Sequence, residues 1–268
     1  MGKRMKNAPV YFTIAQVRYN PILSLSTYIP AVQEHFRKNG FPDFKKGLTM
    51  TLNLTPLLQD QNAEGQPPTS VPVERYIFSN AGNTKNFQLE QGSLAFQATE
   101  YDTFESFAQS LLDGLDLLHK TVGLSFIERI GVRYLDAVIP RAGETLSQYL
   151  IPEVMGLCGK LKGEVQHSFS ETLTQGEEGS VISRTVIQQG QNGQIGFPPD
   201  LLQSMGLKIQ QRFMQVRGLH AIIDTDAFYI ERIQFDLDEV KRRLMVLHDR
   251  IGNSFRASVT EHALAVWA

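Results

Sequence analysis

Cysteine is almost absent from this chain: Cys158 is the only one among 268 residues. A lone thiol excludes a disulfide within the chain and a multi-cysteine zinc site, and it fits a reducing compartment. An excess of either charge is missing as well. The 26 Lys and Arg residues face 28 Asp and Glu, a formal net charge of −2, so the chain as a whole exerts no pull on a phosphate backbone or an anionic lipid surface. No apolar run reaches the ~18 residues that mark a membrane-spanning helix. The basic opening leads into no apolar leader either, because Val10–Tyr19 alternates and holds Gln16 and Arg18. These absences lead to the expectation of a cytoplasmic protein off the membrane. Walker A, G-x-G-x-x-G, H-E-x-x-H and G-x-S-x-G patterns are absent too, so no cofactor is expected.

What is present is a core-forming composition, 42% hydrophobic and 20% charged, sufficient for one large domain or two packed ones. Val10, Phe12, Ile14 and Val17 open a strand. A helix is expected from Ser26 as N-cap, with Pro30 in its first turn, Ile29, Val32 and Phe36 at helical spacing, and Asn39-Gly40 as its stop. Leu48, Met50, Leu52 and Leu54 alternate as a half-buried strand, and Gln59–Pro72 reads as a loop. Arg75–Ser79, Asn86–Glu90 and Ser93–Thr99 predict an antiparallel meander. Asp102 and Glu105 resemble a capping box opening a helix through Phe107, Leu111, Leu115 and Leu118 to Gly123. Phe126–Ile139 follows as a strand, then a short helix at Leu146–Leu157. Val165–Leu173 and Val181–Gln188 form a hairpin, Gln189–Pro199 a turn region and Leu219–Tyr229 a strand. Asp236 or Asp238 caps a last helix with Val240, Leu244, Leu247, Ile251 and Phe255 on one face.

Runs of strands followed by long single helices predict an α+β fold, a largely antiparallel sheet with long helices on one face. A strand to Tyr101 and a helix holding Leu118-His119 echo a strand to Tyr229 and a helix holding Leu247-His248. That echo leaves open two related sheet-and-helix halves or a chance likeness. The expected division is an N-terminal half at 1–140, a connecting segment at 141–163 and a C-terminal half at 164–268. One continuous domain is the alternative.

Asn7-Ala8-Pro9, Arg129–Leu135 (RIGVRYL), Leu247-His248, Phe255, Thr260-Glu261 and Trp267 carry a resemblance to a sporadically distributed, uncharacterised bacterial family of proteins of about this size. Members often have a Glu shortly after Asn-Ala-Pro, where this chain has Tyr11, Phe12 and Thr13. The resemblance implies a bacterial origin and a common fold, and no particular reaction.

Among single constellations, Asp224 and Asp226 stand two apart on a strand and share a face. They would hold Mg²⁺ with a few waters, or pair with nearby arginines. Arg129 and Arg133 also share a strand face, with Tyr134 on the other, and fit an anion or a nucleic-acid backbone as well as neighbouring acids. Lys241, Arg242, Arg243 and Arg250 form the densest basic cluster, read either as a nucleic-acid surface or as an ion-paired helix face. Trp267 either docks on the body or anchors a partner. Together these features lead to the expectation of a non-enzymatic binding or regulatory component, acting through protein–protein contacts with a partner or a second copy of itself. The alternatives are a nucleic-acid-associated component of a defence system and a metal-dependent hydrolase centred on Asp224 and Asp226.

Overall fold

Alternating apolar and polar residues build strands whose two faces differ in chemistry, and that difference organises the molecule. In a computed structural model, which describes residues 5–53, 69–204 and 206–268, ten strands form one antiparallel sheet. β1 (Val10–Tyr19) and β6 (Phe126–Val138) pair in its middle. Outward from β1 come β5 (Ser93–Ala98), β4 (Lys85–Glu90), β3 (Thr69–Ser79) and β2 (Asp43–Asn53). Outward from β6 come β9 (Val216–Tyr229), β8 (Gly179–Gly193) and β7 (His167–Gly176), while β10 (Ile233–Gln234) pairs with the start of β6. The fold is therefore α+β. Strands from both expected halves hydrogen-bond in this one sheet.

The described residues include five α-helices: α1 (Leu25–Lys38), α2 (Phe104–Val122), α3 (Pro152–Met155), α4 (Leu237–Ser258) and α5 (Glu261–Trp267). The long ones pack on one face. Phe107, Leu111, Leu115 and Leu118 of α2 and Val240, Leu244 and Leu247 of α4 meet Val17, Phe96, Ile130 and Val132 of the sheet. Fully burying side chains of this kind contributes roughly 1.5–3 kcal/mol each. A second cluster on this face joins Val138, Ala221 and Ile223 to Tyr149, Phe255 and Trp267. A row of hydroxyls crosses the same face. Thr13, Tyr134, Thr225, Ser183 and Thr172 stand opposite one another on β1, β6, β9, β8 and β7.

The opposite face is covered at one end by a segment from Ile195 to Phe213. Its Ile195, Leu201, Ile209 and Phe213 pack on Phe12, Leu135 and Ile222. Hydrogen bonds from Tyr11 Oη to the Gly196 carbonyl (2.7 Å) and from Gln210 Nε2 to the Thr99 carbonyl (2.8 Å) tie the segment down. Beside it this face is polar, and there the cleft described below opens.

Several element boundaries differ from expectation. The N-cap of α1 is Ser24 rather than Ser26, which moves Pro30 beyond the first turn. Helix α2 is capped by Thr103, one residue past Asp102, because Thr103 is extended and its side chain accepts from Ser106 N. Leu146–Leu157 divides into a 3₁₀ turn at Leu146–Gln148 and the four-residue α3. β8 runs on to Gly193, into the expected turn region. Of the expected loop Gln59–Pro72, Thr69–Pro72 belongs to β3, whereas 59–68 and Leu54 lie outside the described residues. Leu48 in β2 is 69% exposed rather than half-buried, since β2 is an edge strand.

Candidate functional site

The central strands carry charge on the face away from the helices. Period-two alternation places Arg129, Gly131 and Arg133 of β6 there, next to Gln16 of β1 and to Asp224 and Asp226 of β9. The meander adds Arg75 of β3, Gln88 and Glu90 of β4 and Ser93 of β5. Together with Asp200 from the covering segment they line a cavity of about 280 Å³.

Arg133 is the anchor. Its Nε and Nη2 reach the Asp224 carboxylate at 2.6 and 2.7 Å, and its Nη1 and Nη2 reach Asp200 at 2.5 and 3.3 Å. Arg184 adds a longer contact to Asp224 at 3.4 Å. Burial alone would lower the Arg133 pKa, but the hydrogen bonds from Asp224 and Asp200 outweigh it and raise it above the ordinary value. The Asp224 side chain is only 2% exposed. Removing either partner of such a pair strands a buried charge and costs roughly 3–5 kcal/mol.

Arg129 is held differently. Its side chain is 22% exposed, yet the nearest carboxylate, Asp226, lies 3.7 Å away, beyond hydrogen-bond reach. Its one side-chain hydrogen bond among the described residues is a long one of 3.4 Å to Gln16 Oε1, and the guanidinium also lies 5.2 Å from the Phe228 ring centroid. Burial pulls the Arg129 pKa down, with Asp226 opposing. Burial likewise raises Asp226 against the pull of Arg129. Gly131 makes the arrangement sterically feasible. A Cβ there would stand 2.6 Å from Arg129 Nη1, so any side chain at this position would displace the guanidinium.

The amide side chains deepen the polar character. Gln88 donates to Gln97 Oε1 at 3.2 Å, while Gln97 Nε2 and Asn86 Oδ1 are buried without a partner among the described residues. Arg75 and Glu90 pair across the β3–β4 hairpin at 2.7 Å. The cleft thus contains ion pairs, a stripe of amides and, in Arg129, a guanidinium with no carboxylate in hydrogen-bond reach.

Each residue singled out from sequence now has a place. Arg129, Arg133, Asp224 and Asp226 come together in one constellation. Asp224 spends its oxygens on Arg133 and Arg184, and no group of three or more His, Cys, Asp or Glu suited to a metal occurs among the described residues. The basic residues of α4 lie on the other face. Arg242 pairs with Glu239 at 2.8 Å, and Arg243 pairs with Glu178 at 2.8 Å and lies 3.7 Å over the Tyr229 ring. Lys241 is exposed and Arg250 half-buried. Trp267 docks on the body, 6% exposed, against Phe255 and Tyr149. Sequence reasoning missed Gln16, Arg75, Gln88, Glu90, Gly131 and Asp200. The hairpin register, with Tyr76 opposite Leu89, puts Arg75 across from Glu90 and would have revealed that pair. Asp200 lies in the first turn of a 3₁₀ helix, Pro199–Ser204, which begins where the expected turn region ends, and no strand register points to it.

No family model and no curated protein matches the chain, so the reading of the cleft rests on its geometry.

Proposed function

We propose that the protein is a non-enzymatic binding component that captures a small anionic ligand in the cleft over β1 and β6. One observation carries the reading: Arg129, largely buried, has no carboxylate within hydrogen-bond reach and faces the cavity. A guanidinium so placed has donors to offer in a fork that matches a carboxylate or phosphate. Gln16, Gln88 and Ser93 surround it with further polar groups, which would orient the bound molecule. Arg133 acts as scaffold, since its donors are already taken by Asp224 and Asp200.

The size of the cavity favours a small molecule over a nucleic-acid duplex, and the engagement of Asp224 by two arginines disfavours a metal-centred hydrolase. A protein partner, expected from the sequence, would find a surface at the edge strand β7, where Phe169 and Leu173 are 54% and 62% exposed. The buried charge of the cleft is the stronger argument.

Isothermal titration with a panel of small carboxylates and nucleoside monophosphates tests the proposal. Saturable binding of at least one of them should weaken ten-fold or more in Arg129→Ala and recover partly in Arg129→Lys, without loss of fold. Equal affinity of Arg129→Ala and wild type for every member bound, or no binding by wild type, would reject it.

A further inference from the structure

The two halves of the sheet are wired alike, and the place where they differ is a second cavity. In each half the first strand pairs with the last, and the remaining strands run outward in reverse order: β1-β5-β4-β3-β2 on one side, β6-β9-β8-β7 on the other. In each half a long helix follows the last large strand, α2 in one and α4 in the other. The first half also has α1 after its first strand, and the buried Ile29, Val32 and Phe36 of α1 fill the space beside α2, with Phe36 against Phe78 and Phe87. After β6 only a 3₁₀ turn and the four-residue α3 stand in that position. A groove of about 460 Å³ is left between α4 and the outer strands β7 and β8.

The chemistry of this groove is not that of an unfilled apolar core. From the sheet it is lined by Ser170, Ser183 and Thr185, and from α4 by Arg250, Asn253 and Ser254. Among the described residues no Asp or Glu lines it, and Arg250 is its one charged residue. Arg250 makes no ion pair and no side-chain hydrogen bond among the described residues, in contrast to Arg242 and Arg243 on the same helix. Thr185 is 2% exposed, and its Oγ1 is buried with no partner among the described residues, a costly state for a polar group unless something bonds to it.

We propose that this groove is a second binding site, separate from the cleft, for an oxyanion carried on a hydroxylated body. Arg250 takes the phosphate, sulfate or carboxylate group, while the Ser and Thr hydroxyls and Asn253 hydrogen-bond the rest. The cleft, on the opposite face of the sheet, pairs most of its arginines with acids; the groove holds its positive charge uncompensated, which selects for an anion.

The test uses the full chain, with inorganic phosphate, inorganic sulfate, citrate and glucose 6-phosphate as probes in isothermal titration. Wild type should bind glucose 6-phosphate or citrate more tightly than the bare inorganic ions. Arg250→Ala should weaken that binding at least ten-fold and Arg250→Lys less. Thr185→Val, which keeps shape and removes the unpartnered hydroxyl, should weaken it several-fold without lowering the melting temperature. Arg129→Ala should remove only binding at the cleft and leave the Arg250-dependent component in place, so that failure here and failure of the cleft reading are told apart. Binding unaffected by Arg250→Ala, or lost in Arg129→Ala instead, would overturn the proposal, as would the absence of binding by all four probes.

Discussion

Asp136 is a residue whose charge the fold tolerates poorly. It is 7% exposed on the helix face of β6, and burial, with Asp224 adding to it, pushes its pKa up to about 7. Its neighbours Tyr134 and Tyr101 share a 2.8 Å hydroxyl contact, and Tyr134 Oη lies 3.2 Å from His248 Nδ1. Between pH 4 and 7 the native state keeps a proton on Asp136 that the unfolded chain, with an ordinary carboxyl, has released. Fewer protons are bound in the unfolded state, so this group makes stability fall as pH rises through that window and levels off above it. The full effect is at most about 4 kcal/mol. His248, lowered by burial, works in the opposite sense and loses stability as pH falls below its ordinary value. Comparison with Asp136→Asn isolates the carboxyl. The variant should exceed wild type in stability at pH 8 by 1 kcal/mol or more and converge with it near pH 4.5, as read from urea unfolding at both pH values. An equal difference at the two pH values would show that Asp136 does not titrate in this way. The sequence revealed the shared face of Arg129 and Arg133 because strand periodicity is a local property. It could not reveal the isolation of Arg129, which depends on the 3.7 Å gap to a residue 97 positions away.

At the scale of elements, periodicity was a good guide and caps a mixed one: Asp236 caps α4 and Gly123 ends α2 as expected, whereas the starts of α1 and α2 did not fall where expected. The apolar repeat in α2 and α4 is local and continuous, and every residue named for the α4 stripe is buried. Those two N-caps were displaced by one or two residues, because adjacent Asp, Ser and Thr have similar capping ability and backbone conformation decides among them. Thr103 has an extended backbone and accepts from Ser106 N, whereas Ser24 caps α1 with no side-chain hydrogen bond. Thr103→Ala should therefore cost about 1 kcal/mol and Ser24→Ala close to nothing, measured as midpoint shifts at constant slope in urea. Equal losses at the two sites would contradict the assigned caps. The expected helix over Leu146–Leu157 failed for a different reason. Pro152 favours a helix start and Gly156, at positive φ, ends it, so only one turn fits between them.

For the whole molecule, the two halves of the sheet share a strand order, and they divide between α2 and β6, so that β6 stands apart from the expected 1–140 half. Beyond the shared strand order, the helix histidines exchange partners across the halves. His119 of α2 stacks on Phe235 just before α4 (4.3 Å, 16°), and His248 of α4 stacks on Phe104 at the start of α2 (4.1 Å, 7°). The first strands of the two halves, β1 and β6, meet in the middle of the sheet, and the cleft lies over that seam with residues from both. Sequence alone could show the repeated strand-to-helix pattern but not the seam, because long-range pairing is set by tertiary packing rather than by any local signal.

Arginine side-chain ¹H–¹⁵N spectra, recorded while a small carboxylate or phosphate ligand is titrated in, test the central claim most directly. Arg129→Lys identifies the Arg129 Nε signal. That signal should shift saturably, while the Arg133 Nε signal, already held by Asp224, stays nearly fixed. Arginine signals that drift together in proportion to ionic strength, with none saturating, would contradict a built anion site at Arg129.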